Sequence, residues 1–165
     1  MELLKKVAGL FCRGPDVIIG GVERPYLLRW HVIPRNRFFN IYLHKFLRDD
    51  DDRALHDHPW WSCSFILKGG YWEHIPGGIM RRKAFRAYFR KATAAHRIEL
   101  FYDDMLREDG KIGLVTRPSW SLFITGPKVR EWGFHCPKGW VHWKTFCSPQ
   151  DTTITESGLL GRGCE

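Results

Sequence analysis

The sequence has few of the features that identify secreted or membrane-embedded proteins. Its five cysteines are odd in number, widely spaced and form no C-x-x-C pair, which argues against a disulfide framework and against a zinc ribbon. The stretch MELLKKVAGLFCRG carries an acid at position 2 and only a short apolar run, too little for a secretion signal or a membrane span. We therefore expect a cytoplasmic protein with free thiols and no membrane contact.

Sustained helical periodicity is also absent from about residue 26 onward. Short apolar and aromatic segments alternate with Gly and Pro turn signals, as in PYLLRWHVI, NIYLHKFLR, SFILK, VHWKTF and WSLFITG. Segments of this kind without intervening helices predict an all-β sandwich or small barrel, because each strand must bury one face against another sheet. The N-terminal stretch alone predicts a short amphipathic helix.

The chain length predicts a single domain. A chain of 165 residues can bury roughly 70% of the surface that its unfolded form exposes, and it needs no disulfides to hold a core. We place the barrel domain in residues 1–148, with residues 1–25 as an N-terminal extension. Residues 149–165 are polar and glycine-rich, which predicts a flexible tail outside the core.

Positive charge exceeds negative charge in this chain. The sequence contains 26 Lys and Arg against 18 Asp and Glu, a net charge of +8, which favours anionic partners such as small acids or nucleic acid. The basic residues gather in RWHVIPRNR and RRKAFRAYFRK, neither of which belongs to a known nucleic-acid reading motif. A solvated basic face explains them better, so nucleic acid is a disfavoured but open partner.

Two histidines one residue apart form the strongest chemical signal, in the stretch HDHPWWSCSFILKGG. Residues i and i+2 of a strand project to the same side about 7 Å apart, so His56 and His58 can reach one metal ion. The eight histidines of the chain would form about 0.4 such pairs by chance, so the pair needs support from its surroundings.

The surroundings supply a longer pattern. Its spacing is H-D-H-x4-C-x6-G, formed by His56, Asp57, His58, Cys63 and Gly70. This pattern resembles the first metal-binding motif of the cupin superfamily, and specifically that of the thiol dioxygenases typified by cysteine dioxygenase. The segment AHRIEL is similar to the H-R-V-E-N segment of that family and nominates His96 as a third metal ligand. The resemblance implies a cupin-type double-stranded β-helix, a jelly-roll barrel, around a divalent metal.

A third similar segment is PSWSLFITGP, where the family alternates serine, histidine and tyrosine on the cavity side of a strand. Ser121 retains the serine, whereas Phe123 and Thr125 replace the other two residues. The resemblance implies catalytic roles for Cys63 and Ser121, but the replacements remove the tyrosine of a cysteine–tyrosine crosslink and argue against cysteine as the substrate. The phrases RALHDHPW and REWGFHCPKGW also resemble a broader cupin-like family, which implies no particular activity.

A rival third ligand is His142, because PKGWVH fits the P-x-G-x-x-H core of the second cupin motif. His96 follows Gly70 by 26 residues, enough for the two or three strands that separate the motifs, whereas His142 follows it by 72. The spacing favours His96 and leaves His142 as the alternative.

Three neutral imidazoles would leave a divalent metal with its full charge, so an anionic ligand would be favoured beside it. The resemblance implies Fe(II), with Ni or Zn as alternatives, and the oxygenase chemistry of thiol dioxygenases on a small anionic substrate. The alternative is a non-catalytic cupin module that binds a small acid, a sugar or nucleic acid. The sequence leaves the oligomeric state open, although an aromatic-rich barrel edge is compatible with a homodimer.

Overall fold

The chain folds almost entirely into β-strands. A computed structural model describes Gly9 and residues 12–50, 54–106, 110–147, 149–155, 158–161 and 163–164. In these ranges the strands are β1 (Val17–Ile19), β2 (Leu27–His31), β3 (Asn40–Phe46), β4 (Leu55–His56), β5 (Ser62–Lys68), β6 (Gly70–Ile75), β7 (Gly78–Lys83), β8 (Ala87–Arg90), β9 (Arg97–Leu100), β10 (Tyr102–Leu106), β11 (Ile112–Thr116), β12 (Ser119–Thr125), β13 (Gly133–Cys136), β14 (Gly139–His142), β15 (Pro149–Thr155) and β16 (Gly158–Gly161). A short helix, α1, spans Trp143–Cys147. The all-β expectation is confirmed.

Two antiparallel sheets enclose the main core. The six-stranded sheet has the order β1-β2-β3-β12-β5-β8, and a three-stranded sheet has the order β7-β6-β9. Both sheets contribute to one buried cluster, which consists of Leu27, Phe46, Ile66, Tyr71, Ile98 and Leu100. Because side chains from both sheets meet in this cluster, the inner faces of the two sheets are packed against each other as in a jelly-roll barrel.

Strand alternation decides which side chains enter the barrel. Phe46 on β3 belongs to the core between the sheets, so His44, two residues earlier, faces the same interior. Leu43 packs with Trp30 on the outer face of the sheet. Ser121 on β12 lies directly opposite His44 and therefore also points inward. The barrel interior has an apolar layer around Phe46 and a polar layer beside it.

A second three-stranded sheet, β14-β13-β4, lies beside the barrel. Strand β13 pairs with β4 through Phe134 and His56, which ties the C-terminal part of the chain to the H-x-H segment. Helix α1 covers this sheet, because the ring of Phe146 stacks on that of Phe134 with 3.6 Å between centroids. Our prediction of a strand through VHWKTF (residues 141–146) was therefore wrong after His142, where helix α1 begins and tertiary packing of Phe146 overrides the local β-propensity.

The expectation of free thiols was wrong for two of the five cysteines. Cys136 and Cys164 form a disulfide with an S–S distance of 2.08 Å. The fold brings together two cysteines separated by 28 residues, which linear spacing could not show. Disulfides are typical of oxidising compartments, so this bond weakens the argument for a cytoplasmic location.

Two predictions on the chain termini have different outcomes. The segment 149–165, predicted as a flexible tail, contains the antiparallel strand pair β15–β16, so its described part is more regular than expected. The N-terminal helix was predicted within residues 1–14, of which only Gly9 and residues 12–14 are described, and the domain boundaries stay a prediction. Among the described residues, no helix has the length and apolar character that crossing a membrane requires.

Candidate metal centre

Three histidines from neighbouring segments converge at one point. His56 ends β4, His58 follows two residues later, and His96 directly precedes β9. The backbones of His56 and His96 exchange two N–H to C=O hydrogen bonds of 2.9 Å, which holds the two residues side by side. The three ring centroids are 5.0 to 5.1 Å apart in every pair. The rings therefore form a nearly equilateral triangle, which we call the histidine triangle.

The nitrogen atoms of the histidine triangle fit a divalent metal. One ring nitrogen from each residue lies within 4.8 Å of the other two, and Nε2 of His58 lies 2.9 Å from Nε2 of His96. Two nitrogen ligands that bind a metal at about 2.1 Å and at right angles are about 3.0 Å apart. Without an ion, the same pair can share a single N–H···N hydrogen bond.

A buried carboxylate lies behind His96. Nδ1 of His96 is 2.9 Å from Oε1 of Glu73, whose side chain is 1% exposed. Arg82 and Arg90 both donate through Nε to this carboxylate, and Arg90 also donates to the hydroxyl of Tyr71. A carboxylate on the Nδ1 side fixes the ring orientation and leaves Nε2 as the ligand atom, as in many metal sites.

Burial keeps two of the three histidines neutral. Burial lowers the pKa of His96 to about 4, although Glu73 acts in the opposite direction. Burial, followed by the repulsion that His56 and His96 would exert if they were protonated, lowers the pKa of His58 well below its ordinary value. Burial alone would raise the pKa of Glu73, but the close contact with His96 and the charge of Arg90 outweigh it and hold the pKa far below its usual range. His58 and His96 therefore offer lone pairs at neutral pH.

We expect the metal-free chain to lose stability as the pH falls from about 6.5 to 4. In this range the unfolded chain binds more protons than the folded chain, because the folded pKa values of His58 and His96 are lowered, and stability then rises with pH. For His96 the loss at pH 5 would be about 2 kcal/mol. Urea unfolding with a chelator at neutral pH and at pH 5 measures it, and equal unfolding free energies would contradict it.

Asp57 lies between two of these histidines and points away from them. Its carboxylate is 1% exposed and contacts four groups on or next to β13 and β14. These are Nη1 of Arg130 at 2.6 Å, the backbone N–H of Gly133 at 2.9 Å, Nε1 of Trp140 at 3.1 Å and Nε2 of His135 at 3.2 Å. Because successive residues of an extended segment project to opposite sides, anchoring Asp57 directs His56 and His58 towards the triangle.

The two residues predicted to be catalytic lie on different faces. Ser121 points into the barrel, and its buried hydroxyl has no hydrogen-bond partner within the described residues. Cys63 lies on β5 between the buried Ser62 and Ser64, so its side chain projects to the outer face. The structure therefore does not bring Cys63 to the histidine triangle, while Ser121 faces the barrel interior.

The rival ligand His142 lies apart from the histidine triangle. It is on β14, where Nε2 is 3.3 Å from Oε2 of Glu131 and Nδ1 accepts a hydrogen bond from the backbone N–H of Lys144. The cluster of possible metal ligands among the described residues contains His96 instead. The fold thus groups the two histidines of the H-x-H segment with the histidine that the spacing favoured.

Sequence reasoning missed two residues of this region, Glu73 and His44. Both residues lie outside the motifs that resemble the cupin pattern. The available signal was strand alternation, because Glu73 stands two residues after the buried Tyr71 on β6. A charged residue on the inward face of a strand requires a buried partner, which marks it as a candidate for the site.

Comparisons with known proteins identify the fold. No protein-family model and no curated protein matches the chain. A solved cupin-2 domain, Rru_A2000 from Rhodospirillum rubrum, matches with a TM-score of 0.53 at 8% identity, covering 74% of this chain and 76% of the other. The chain has the cupin fold. The cupin-type barrel expected from the sequence is thereby confirmed.

Two further solved structures have lower scores. The DMSP lyase DddQ from Ruegeria pomeroyi DSS-3 has a TM-score of 0.49 at 15% identity, covering 76% of this chain and 59% of the lyase. This chain therefore spans less than two thirds of the length of DddQ. KdgF from Halomonas sp. has a TM-score of 0.46 at 13% identity, covering 66% of this chain and 87% of KdgF. At such identities these likenesses concern the fold and assign no activity.

Proposed function

We propose that this cupin binds one divalent metal through His56, His58 and His96 and acts on a small anionic substrate. The observation that carries the proposal is the histidine triangle, with ring nitrogens close enough to share one ion. The carboxylate of Glu73 behind His96 is the kind of outer partner that orients metal-binding histidines. Imidazole ligands suit Fe, Ni and Zn, and we favour Fe(II) because of the resemblance to thiol dioxygenases.

Charge favours an anionic substrate. Imidazole ligands are neutral and leave the charge of a divalent ion uncompensated. Arg29 and Arg90 act on His58 as further positive charges, and the carboxylate of Glu73 is already shared by two arginines. A thiolate, carboxylate or enolate group would therefore be attracted to the interior beside the histidine triangle.

The reaction that we propose is oxygenation of the thiol dioxygenase type. Bound Fe(II) would supply Lewis-acid templating and redox chemistry with O₂. The chain itself places Glu73 behind His96 and keeps His58 and His96 unprotonated at neutral pH. The H-D-H-x4-C-x6-G pattern and the H-R-x-E segment support this reaction type. The outward direction of Cys63 means that no cysteine–tyrosine crosslink is part of the proposal.

The second candidate is a non-catalytic cupin that binds a small acid or a sugar. The observation in its favour is β12, where Phe123 and Thr125 stand in place of the histidine and tyrosine of the thiol dioxygenases. Neither side chain can replace the histidine or the tyrosine chemically. Of the serine, histidine and tyrosine that the thiol dioxygenases place on this strand, β12 therefore retains only the serine, Ser121. The metal would then have a structural or ligand-binding role.

Elemental analysis of protein expressed without a histidine tag is expected to find close to one metal ion per chain. Oxygen uptake by an iron-loaded sample with a panel of small thiols and carboxylates then separates the two candidates. Uptake that requires one of these compounds and stops with a chelator supports the oxygenase. One metal ion per chain without oxygen uptake supports the non-catalytic binding module. A chain that binds neither iron nor nickel nor zinc would contradict both metal-dependent candidates.

A further inference from the structure

The inner face of the six-stranded sheet carries polar atoms that metal binding does not use. Three of its side chains, each no more than 2% exposed, contain an atom without a hydrogen-bond partner among the described residues. These atoms are Nδ1 of His44, Oγ of Ser62 and Oγ of Ser121. Buried polar groups are nearly always paired, because an unpaired group loses its hydration without compensation. A group of unpaired polar atoms on one wall of the barrel therefore indicates a place where a ligand completes the hydrogen bonds.

Two of these atoms belong to a directly opposed pair. His44 on β3 and Ser121 on β12 are cross-strand partners, and such partners have Cβ atoms roughly 4.5–5.5 Å apart on the same face. That face is the barrel interior, since Phe46 on the same strand belongs to the core. The imidazole of His44 and the hydroxyl of Ser121 can therefore form hydrogen bonds with the same ligand atom or with two neighbouring ligand atoms.

Arg29 determines which nitrogen of His44 carries the proton. Nε of Arg29 donates a hydrogen bond of 2.9 Å to Nε2 of His44. Because a guanidinium has no acceptor, Nε2 must accept, and a neutral ring then carries its proton on Nδ1. Burial, followed by the charge of Arg29, lowers the pKa of His44 well below its ordinary value, so the ring stays neutral. The unpaired Nδ1 is therefore an N–H donor.

The surroundings of His44 fix this donor in place. Its ring stacks on Phe123 with 4.8 Å between centroids and on Tyr42 with 5.7 Å. Arg29 holds the far edge of the ring, and its guanidinium also lies over Tyr42, 4.8 Å from the ring centroid. Two donors, a nearby positive charge and aromatic walls suit a ligand with an oxyanion and a small apolar body.

We propose that Nδ1–H of His44 and Oγ–H of Ser121 form a subsite for the carboxylate of a small organic acid. This inference rests on the proposed function, because it places the anionic end of the proposed substrate. In this subsite His44 and Ser121 contact the carboxylate. Arg29 is a positioning residue, which sets the tautomer of His44 and contributes positive charge.

Calorimetric titration of the full chain with propionate and with propionamide tests the subsite. Measurements are made on Ni(II)-loaded protein and on protein with a chelator. Propionate is expected to bind at least tenfold more tightly than propionamide, because hydrogen bonds to a charged acceptor are the stronger ones. Ser121→Ala and His44→Phe are each expected to weaken propionate binding about tenfold.

Two further variants separate recognition from general damage to the barrel. His44→Asn can place an N–H donor where Nδ1 stands and is expected to recover most of the affinity lost in His44→Phe. Ser119→Ala is the matched control, because Ser119 is a buried serine on the same strand whose hydroxyl already donates to the carbonyl of Lys68 at 3.5 Å. It is expected to leave the affinity unchanged. If His44→Phe fails to fold, the propionate affinities of Ser121→Ala and Ser119→Ala still test the subsite.

Several results would overturn the subsite. They are equal affinity for propionate and propionamide, no detectable propionate binding at about 10 mM, or equal affinity in Ser121→Ala and the wild type. The metal is measured separately in the same samples. A chain that binds propionate as described but takes up no metal would refute the proposed function alone, while metal uptake with unaffected variants would refute the subsite alone.

Discussion

His96→Ala is expected to abolish stoichiometric metal binding, whereas His142→Ala is expected to leave it intact. His96 supplies one corner of the histidine triangle, and its Nε2 is 2.9 Å from that of His58. Removing one of three ligands should lower the metal affinity by more than about 100-fold, beyond the 10–100-fold that loss of an outer hydrogen-bond partner costs. Metal content after dialysis and competition titration with a coloured chelator measure the effect.

His142→Ala is the matched control for this experiment. It removes the same side chain from the segment that fits the second cupin motif, but His142 contacts Glu131 and the backbone of Lys144 rather than the histidine triangle. Circular dichroism of both variants checks that the barrel is retained. Loss of metal binding in His142→Ala with retention in His96→Ala would show that His142 is the third metal ligand. The histidine triangle would then not be the metal site.

Glu73→Ala is expected to lower the free energy of unfolding by about 3–5 kcal/mol, the usual cost of removing one partner from a buried ion pair. The carboxylate of Glu73 neutralises Arg90, which is 6% exposed, and also Arg82. Without it, a buried guanidinium has no countercharge, and Nδ1 of His96 loses its neighbour. Urea unfolding at neutral pH, with a chelator present so that metal binding does not contribute, measures the loss.

Glu131→Ala provides the surface comparison. Glu131 also contacts one basic side chain and one histidine, Lys128 and His142, but it is solvent-exposed, so we expect a much smaller change in the free energy of unfolding than for Glu73→Ala. Glu73→Gln adds a second readout, because a neutral amide should weaken metal binding 10–100-fold through the altered orientation of His96. Equal stability of the Glu73 and Glu131 variants would show that the buried network contributes nothing to the fold.

The histidine triangle could be anticipated from the sequence because its signals are local. The H-x-H pair depends only on strand periodicity, and the distance from Gly70 to His96 allows the strands that return the chain to the same place. The pattern of short strands between turn signals likewise predicted an all-β barrel. Each of these inferences uses residues that are close in sequence or separated by regular elements.

The parts that could not be predicted depend on pairing between distant strands. Cys63 points outward because the alternate residues of β5 that face the interior are Ser62 and Ser64. A motif fixes the spacing between residues but does not show which of them face the interior. The pairing of His44 with Ser121 depends on a register between strands more than 70 residues apart. The bond between Cys136 and Cys164 also depends on tertiary structure, because only the completed fold brings the two segments together.

We expect Asp57 to couple the ordering of the candidate metal centre to the closure of the β13–β14 strand pair. One carboxylate anchors that strand pair through Arg130 and Gly133, while its two neighbours in sequence are the histidines that would hold the ion. A metal ion that fixes the imidazole rings should therefore also slow the local opening of the β13–β14 strand pair. Conversely, breaking the turn between β13 and β14 should raise the dissociation rate of the ion. The carboxylate that touches no metal thus couples the lifetime of the complex to the integrity of the C-terminal sheet.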